Sequence, residues 1–364
     1  MVQYIMTPDN IAHQRLHNQH ITGTPFKRPD EVVQWLGAVQ AQDYAAAKWA
    51  VAQRTVNSID ADLDRLFADG TILRTHVLRP TWHFVTPADI RWMLALTAPR
   101  VNALNAHYCR KLELDDALFA RSNTALAKAL QGENQLTRAE LAGVLNQAGI
   151  ATDSLRLVHI MMRAELDGII CSGARRGKQF TYALLDVRAP QAKALEREEA
   201  LAGLSRRYFM SRGPATLQDF VWWSGLTTND ARDGLEMIKS QLIDEEVDGQ
   251  TYWLPSSSTS LEDQPSPTAY LLPNYDEYVV GYTDRNAIID ASHTEKLDSR
   301  NNPLFQYIIV INGRIVGAWK RTLKKHSVVI ELNPFTPLTE AESQAVAMAA
   351  QRYGAFLELP VGVA

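Results

Sequence analysis

Apolar residues recur at helical spacing through the first two thirds of the chain, and short alternating segments interrupt them. The pattern is most complete between residues 134 and 185. Thr137 can cap one helix there, and Thr152 or Asp153 can cap a second helix that runs to about Leu166. Three short segments follow: an apolar strand (168–171), a basic, glycine-rich tip (172–178) and a return strand (179–185). Two helices followed by a hairpin predict a winged-helix unit.

The second helix and the hairpin tip of this unit carry positive charge. The cations are Arg156, His159 and Arg163 on one helical face, and Arg175, Arg176 and Lys178 in the tip. In many DNA-binding proteins one helix enters a groove while a basic hairpin reaches phosphate. Winged helices also serve as protein–protein scaffolds, so the pattern leaves both partners open. The charge favours double-stranded DNA.

A similar order of elements recurs between residues 191 and 256. Three helices are expected, over residues 196–210, over residues 216–223 and after Thr227 or Thr228. A hairpin with the turn Asp248-Gly249 closes the unit. Its side chains include four carboxylates, those of Asp244, Glu245, Glu246 and Asp248. Because these would repel phosphate, we expect the second copy to be structural.

The rest of the chain predicts a helical start and a strand-rich end. Helices are expected over residues 8–19, 29–38, 44–53, 61–69 and 87–97, the last capped by Thr86, with one strand over 81–85. After a Ser/Pro-rich linker (256–268), strands are expected over 305–311, 314–319 and 327–332, the first two joined by Asn312-Gly313, before a helix over 339–353. We therefore expect an α+β, mainly helical protein of tandem winged-helix units with a β-rich C-terminal part. The predicted units span residues 1–130 (helical or winged-helix), 131–190, 191–256 and 268–364.

Composition and charge exclude several classes of protein. A net charge of −4 over 364 residues argues against a histone-like protein that coats nucleic acid by charge alone. Two cysteines, Cys109 and Cys171, cannot form a disulfide framework, which favours a reducing cytoplasm. The first ten residues lack a signal-peptide pattern, and no apolar run approaches membrane-spanning length. We expect a soluble, cytoplasmic monomer, at most associated with the nucleoid, and no membrane partner.

Common cofactor and metal motifs are missing from the sequence. It contains no Gly-x-Gly-x-x-Gly, no Cys-x-x-Cys and no His-Glu-x-x-His. Residues 173–178 superficially resemble a phosphate loop, but their spacing is wrong and they precede a strand rather than a helix. We therefore expect neither a metal ion nor another cofactor.

The unusual local feature is Gln40-Ala41-Gln42-Asp43. In an extended backbone, residues two apart point the same way, so the two carboxamides can converge on one point. Paired amides offer neutral donors and acceptors that hold a water or a base edge independently of pH. Two surface glutamines at a helix junction are the alternative, with Asp43 as the cap of the following helix.

A second polar segment follows in the predicted strand. Alternation places Trp82 and Phe84 on one side and Arg79, Thr81 and His83 on the other. Arg79 and His83 would meet a phosphate or line a pocket. A structural histidine that bonds only to backbone is an equal alternative.

Two further clusters lie in the C-terminal part. Asp276-Glu277 is a candidate acid pair, although a Pro-Asn-x-Asp sequence more often forms a turn. A basic cluster comprises Lys320, Arg321, Lys324, Lys325 and His326. These residues are candidate contacts to the DNA backbone, although clusters of charged residues often lie only in solvent-exposed loops.

Several motifs spread over nearly the whole chain carry a family resemblance. They are Gln40-Ala41-Gln42, the segment from Arg79 to Pro87, the segment from Gly213 to Leu226 with its Trp-Trp-Ser-Gly, the segment from Leu272 to Tyr282 with its Asp-Glu-Tyr, and Asn312 to Trp319. Together they resemble the winged helix DNA-binding proteins of the AlkZ and YcaQ type. The Trp-Trp-Ser-Gly and Asp-Glu-Tyr elements are the most specific.

The resemblance implies a C-shaped array of tandem winged-helix units with a β-rich C-terminal part. Characterised members are monofunctional DNA glycosylases that excise bulky alkylated purines and unhook interstrand crosslinks. Their catalytic signature is Gln-apolar-Gln or Gln-apolar-Asp, so the two roles carry over to Gln40 and Gln42. Ala41 departs from the pattern, because it is smaller than the usual central residue and could loosen the site.

We therefore expect a DNA-repair glycosylase that hydrolyses the N-glycosidic bond of alkylated purines, with Gln40 and Gln42 orienting water. Three residues are expected to support the pocket: Arg79, His83 and Asp43. The expected DNA-binding residues are Arg156, Arg163, Arg175, Arg176, Lys178, Lys320 and Arg321. The main alternative is a non-catalytic winged-helix regulator of transcription, and a third reading is a scaffold that binds only protein.

Overall fold

The computed structural model describes residues 6–257, 267–290, 292–293 and 306–364. Its helices are α1 (Pro8–Asn18), α2 (Pro29–Leu36), α3 (Tyr44–Ala52), α4 (Asp60–Asp69), α5 (Ile90–Lys111), α6 (Asp116–Ala129), α7 (Arg138–Gln147), α8 (Ser154–Leu166), α9 (Leu185–Arg188), α10 (Arg197–Arg212), α11 (Leu217–Ser224), α12 (Thr228–Ile238), α13 (Glu277–Val280) and α14 (Glu340–Leu357). Its strands are β1 (Val39–Gln40), β2 (Leu73–His76), β3 (Trp82–Val85), β4 (Leu136–Thr137), β5 (Ile170–Ser172), β6 (Thr181–Leu184), β7 (Leu242–Val247), β8 (Gln250–Pro255), β9 (Ala269–Leu272), β10 (Ile308–Ile311), β11 (Arg314–Leu323), β12 (Val328–Pro334) and β13 (Val361–Val363). The described residues form an α+β fold in which helices predominate, as the sequence predicts.

Several helices begin at the capping residues that the sequence indicates. Thr137, Thr216 and Thr339 each accept a hydrogen bond from the backbone N–H three residues later. Asp153 does the same at the start of α8, and Thr227 at the start of α12. Each cap satisfies a backbone donor that the first helical turn leaves without a partner.

Helix α5 differs from the prediction at both ends. It begins at Ile90 rather than at Pro87, with Asp89 at the N-cap position. The Thr86 hydroxyl donates to the Asp89 carboxylate instead of capping the helix. The helix also continues through Pro99. Buried apolar side chains on both sides of this proline keep the helix packed in the core, which outweighs the hydrogen bond that proline cannot make.

A three-stranded antiparallel sheet in the order β1-β3-β2 lies in the N-terminal part. Its register places Gln40 opposite His83, and His83 opposite Thr75. Directly opposed residues share a face of a sheet, so these three polar side chains form a row across one face. Arg74 and Trp82 belong to the other face, because successive side chains alternate along a strand.

The segment from α6 to α9 contains the two helices and the hairpin predicted for it. Strands β5 and β6 pair antiparallel and β4 joins β6, which gives the order β4-β6-β5. Helices α6, α7 and α8 pack beside this sheet around an apolar core of their own. The segment also contacts the N-terminal sheet, where the Arg74 backbone N–H donates to the Ser172 hydroxyl at 2.8 Å.

The second predicted hairpin is present as β7 and β8. Asp248 and Gly249 at its tip have φ angles of 50° and 76°, the backbone that a two-residue hairpin turn requires. Helices α10, α11 and α12 precede the hairpin. Their apolar residues share one core with β2 and α5, so this core crosses the boundaries drawn from the sequence.

Five strands form the C-terminal sheet in the order β13-β12-β11-β10-β9. Asn312 and Gly313 have φ angles of 49° and 82°, which confirms the predicted hairpin turn. Helix α14 and this sheet share a core with α2, α3 and α4. The predicted strand residue Phe305 and linker residues 258–266 lie outside the described residues. Among the helices described, none is long and apolar enough to cross a bilayer.

Candidate active site at the glutamine pair

A carboxylate from a distant part of the chain holds strand β1. The backbone N–H of Gln40 donates to Oε1 of Glu277 at 2.8 Å. The strand is only two residues long, because Gly37 ends α2 with a positive φ (75°) and Asp43 caps α3. The backbone of the first glutamine is therefore fixed from two sides, by β3 and by Glu277.

The charge of Glu277 is balanced inside the core. Its Oε2 accepts hydrogen bonds from Arg212 Nε (3.2 Å), Arg212 Nη2 (2.5 Å) and Trp223 Nε1 (3.0 Å). The neighbouring Asp276 forms a second buried pair, with Arg54 at 2.8 and 3.0 Å. Each carboxylate thus neutralises its own arginine. The two acids are structural ion pairs that position backbone, and neither is free for proton transfer.

The carboxamide of Gln40 is nearly buried, with 7% of the residue exposed. Its Oε1 accepts a hydrogen bond from Arg79 Nη2 at 3.0 Å. The Arg79 guanidinium lies 5.5 Å from the centre of the Trp222 ring, and burial lowers the pKa of Arg79 to about 10. Since Arg79 occupies the carbonyl oxygen, the amide N–H groups of Gln40 are left to donate, and no described residue accepts from them.

Gln42 is exposed and more loosely held than Gln40. Its Oε1 accepts a hydrogen bond from the Trp82 backbone N–H at 3.4 Å, a long and weak bond. The pair is therefore asymmetric. One carboxamide is buried and anchored by a cation, and the other is open to solvent.

His83 lies opposite Gln40 in the strand pairing, on the same face of the sheet, and it is fully buried. Its Nδ1 bonds to the carbonyl oxygen of Thr81 at 2.9 Å, and a carbonyl can only accept, so Nδ1 carries the proton. Burial and the charge of Arg79 hold the pKa of His83 well below its usual range, so the ring is neutral and Nε2 has a free lone pair.

Four buried polar atoms on this side of the sheet have no hydrogen-bond partner within the part of the chain that the structure describes. They are Thr75 Oγ1, Arg79 Nε, Thr81 Oγ1 and His83 Nε2. Polar atoms buried in this way ordinarily bind water. The face of the sheet that carries Gln40 and His83 is therefore polar and suited to hydration.

Asp43 links the glutamine segment to the C-terminal sheet. Its Oδ1 accepts the N–H of Ala46 at 3.1 Å, which confirms the helix cap, and its Oδ2 accepts the hydroxyl of Tyr307 at 3.3 Å. The Arg321 guanidinium lies 5.2 Å from the centre of the Tyr307 ring and donates to the hydroxyl of Tyr353. Arg321, predicted as a DNA contact, is thus close to the glutamine segment.

Two other predicted DNA-binding arginines are engaged inside the protein. Arg156 donates to two backbone carbonyl groups. Arg163 donates to Asp167 at 2.8 Å and to Asp116 at 3.4 Å. To reach phosphate, each would have to exchange these partners for DNA.

The cationic side chains of the hairpin tip have different partners within the protein. Arg175 lies over the ring of Tyr44 at 4.9 Å, so it packs against the N-terminal part. Arg176 pairs with Glu140 at 2.7 Å. Hydrogen bonds, first from the Thr137 backbone and then from Arg176, lower the pKa of Glu140 to about 2.

Lys178 and Lys320 are the most accessible of the predicted DNA contacts. Both are exposed, and neither forms a salt bridge with any described residue. Sequence reasoning missed Arg74 together with the strand that carries it, β2, and it missed the link from Glu277 to Gln40. In the described part of the chain, no three His, Cys, Asp or Glu residues are grouped so as to hold a metal ion.

Comparisons with known proteins agree with the resemblance. A family model described as DNA glycosylase AlkZ-like matches residues 33–356. An interstrand DNA cross-link repair glycosylase of Streptomyces sahachiroi is 24% identical over 378 aligned residues, which cover 96% of this chain and 97% of the relative. The solved structure of Streptomyces sahachiroi DNA glycosylase AlkZ aligns with a TM-score of 0.81 and 21% identity, covering 99% of this chain and all of that one (100%). At this identity the structural match demonstrates a shared fold.

Proposed function

The chain belongs to the family of AlkZ-like DNA glycosylases, and we propose that it is a monofunctional enzyme that hydrolyses the N-glycosidic bond of alkylated purines in duplex DNA, including crosslinked ones. One observation carries the proposal. The Gln-Ala-Gln segment lies within the matched region, and it presents one anchored and one exposed carboxamide. The full-length relative is described as a cross-link repair glycosylase, which supports the substrate class.

The proposed chemistry needs no strong acid or base. An N7-alkylated purine already carries positive charge, so it departs with the electron pair of the C1′–N9 bond and becomes neutral. The enzyme must stabilise the oxocarbenium-like sugar and place a water that attacks C1′ and releases a proton to solvent. Preorganised amide dipoles are suited to both tasks.

The structure suggests different roles for the two glutamines. Arg79 fixes the Gln40 carbonyl, so Gln40 donates N–H groups to the water or to the substrate. Gln42 is exposed, and its carbonyl accepts from the attacking water and faces the developing positive charge. His83, which is neutral and buried, lies opposite Gln40 in the pairing of β1 with β3 and would support the glutamine by its position there.

DNA would be held by a tandem array of winged helices. The segments 131–190 and 191–256 have the same order of helices followed by a hairpin, and only the first hairpin is basic. We assign the phosphate contacts to Lys178 and Lys320 first, because these side chains are exposed and form no salt bridge with a described residue. Five arginines would contact DNA after exchanging internal partners: Arg156, Arg163, Arg175, Arg176 and Arg321.

Base release by purified protein tests the function. Duplexes that contain N7-methylguanine or an interstrand crosslink are incubated with the wild type and with Gln40→Ala, Gln42→Ala and Gln147→Ala. Gln147 is exposed at the end of α7 and serves as the matched control. We expect the first two variants to lose most activity and the control to keep it.

Full activity in the two glutamine variants would refute the mechanism. A wild-type protein that produces no abasic site would refute the function. If such a protein nevertheless bound one DNA sequence selectively, it would be the non-catalytic regulator that the winged-helix pattern also allows.

A further inference from the structure

Arg74 is a buried cation that has no anionic partner among the described residues. It is 8% exposed, and its Nε donates to the backbone carbonyl of Ala41 at 3.0 Å. Its guanidinium lies 4.3 Å from the centre of the Trp82 ring and 4.6 Å from that of Phe180. In the described part of the chain it forms no salt bridge, and its two terminal nitrogens have no hydrogen-bond acceptor.

The acid with the largest effect on this arginine does not neutralise it. That acid is Glu165, which is bonded to His76 instead. Burial lowers the pKa of Arg74 to about 10, so the side chain is still charged at neutral pH. A buried charge that lacks a partner is unfavourable, so a ligand that supplied the opposite charge would be stabilised here.

A cavity of about 600 Å³ opens beside this guanidinium, between the N-terminal sheet and the segment from α6 to α9. Its lining contains three cations and three aromatic rings, and no carboxylate: Arg74, Arg138, Lys178, Trp82, Phe180 and Tyr182. The first turn of α7 also lines it, through Thr137 and Ala139. Backbone N–H groups of a first helical turn favour anions. The one acid in that turn, Glu140, is held by Thr137 and by Arg176.

The cavity adjoins the exposed glutamine. Arg74 binds the carbonyl of Ala41, and the N–H of Trp82 binds the side chain of Gln42. Two of its lining residues therefore position the backbone and the side chain of the catalytic segment. The cavity lies on the face of the sheet that carries Arg74 and Trp82, opposite the side chains of Gln40 and His83, so a ligand there would reach the proposed reaction centre through the Ala41 backbone and Gln42.

We propose that this cavity, which we call the Arg74 pocket, binds a phosphodiester group of the DNA strand that carries the target nucleotide. The terminal nitrogens of Arg74 would bind two phosphate oxygens in the bidentate manner that guanidinium favours. Arg138 and Lys178 add charge at the rim, and the rings accommodate the adjoining sugar and base. The inference rests on the proposed function, because it takes DNA to be the ligand.

The salt dependence of DNA binding tests the charge contact. Binding of a duplex is measured between 50 and 200 mM salt for the wild type and for Arg74→Gln, Lys178→Gln and Arg232→Gln. Arg232 is exposed on α12, beside the acidic hairpin, and is the matched control. Each lost phosphate contact lowers the slope of log K against log salt by about 0.9, which is about 3.5-fold in affinity over this range. We expect that change for the first two variants and none for the control.

A methylphosphonate scan locates the contact. Single phosphates around the lesion are made neutral, one at a time. We expect one position to weaken wild-type binding and to leave Arg74→Gln unaffected, which is the non-additivity of a direct contact. If Arg74→Gln does not fold, as shown by thermal unfolding, Arg138→Gln and Lys178→Gln are judged by the same criteria.

A folded Arg74→Gln protein with the wild-type slope would overturn the proposal. The proposal would also be overturned if the effects of Arg74→Gln and of each methylphosphonate on DNA binding were additive at every position. Competition of inorganic phosphate with DNA, without any position-dependent effect, would likewise overturn it and indicate a site for free anions. These measurements use binding alone. A wild type that binds DNA as expected but releases no base would therefore refute the proposed function and leave the Arg74 pocket standing.

Discussion

Replacement of Glu277 by Gln tests whether its buried ion pair positions β1, the strand that carries Gln40. The carboxylate accepts four hydrogen bonds: one from the Gln40 backbone (2.8 Å), two from Arg212 (3.2 and 2.5 Å) and one from Trp223 (3.0 Å). A glutamine at this position keeps one carbonyl oxygen as an acceptor. Its NH2 group would face hydrogen-bond donors and could not accept from them, and Arg212 would remain charged without a carboxylate partner. Breaking a buried pair in this way costs about 3–5 kcal/mol. We expect the free energy of unfolding in urea to fall by that amount.

Asp276→Asn is the matched control. It breaks the equally buried pair with Arg54, and it leaves the bond from Gln40 to Glu277 intact. Both variants should be destabilised to a similar degree. Base release, measured at a temperature where both are folded and corrected for the folded fraction, should fall only in Glu277→Gln.

Two results would refute this reasoning. One is a stability of Glu277→Gln within about 1 kcal/mol of the wild type, since the loss of a buried partner costs more. The other is equal loss of base release in both variants, because the effect would then follow general destabilisation and not the position of Gln40.

Three further predictions follow from the site and from the exposed cations. Arg79→Lys removes the hydrogen bond to the Gln40 carbonyl at its present geometry; charged hydrogen bonds contribute about 1.5–3 kcal/mol, so kcat/KM should fall roughly 10-fold to 100-fold, and unchanged single-turnover kinetics would contradict the role. Burial lowers the pKa of His83 well below 6.5, so below about pH 6.5 the unfolded chain takes up a proton at this residue and the folded chain does not. The free energy of unfolding therefore decreases as the pH falls below that value. His83→Gln should reduce this loss by up to about 1.4 kcal/mol per pH unit in urea titrations from pH 7 to 5, and identical slopes would exclude it. Lys320→Gln should lower the salt slope of DNA binding by about 0.9 for every duplex sequence, whereas an unchanged slope would remove Lys320 from the interface.

Much of the local structure could be predicted from the sequence, because caps and turns depend on neighbouring residues. Thr137 and Asp153 cap their helices as their side-chain oxygens require, and Asn312-Gly313 forms a hairpin because both residues adopt positive φ. The strand pattern around His83 also predicted which side chains share a face. Both ends of α5 were predicted wrongly. The helix continues through a proline because of tertiary packing, and local propensity contains no information on that packing.

The contacts that define the site could not be predicted in the same way. The bond from Gln40 to Glu277 joins residues 237 apart, and nothing local to either residue indicates the other. The sequence around Asp276-Glu277 indicates only a turn. The role of these two acids depends on Arg54, just after α3, and on Arg212, the last residue of α10. Arg74 lies in a buried strand, and only the fold shows that no carboxylate of the described residues pairs with it.

The contact between Gln40 and Glu277 also has a consequence for biosynthesis. The first glutamine leaves the ribosome 237 residues before its carboxylate partner. At about 5–20 residues per second, that interval lasts roughly 12–47 s. The basic hairpin is complete much earlier, so a nascent chain acquires this positive charge before the contact that holds Gln40 can form. A chain that ends before Glu277 would therefore lack that contact and, with it, the assembled form of the proposed reaction centre.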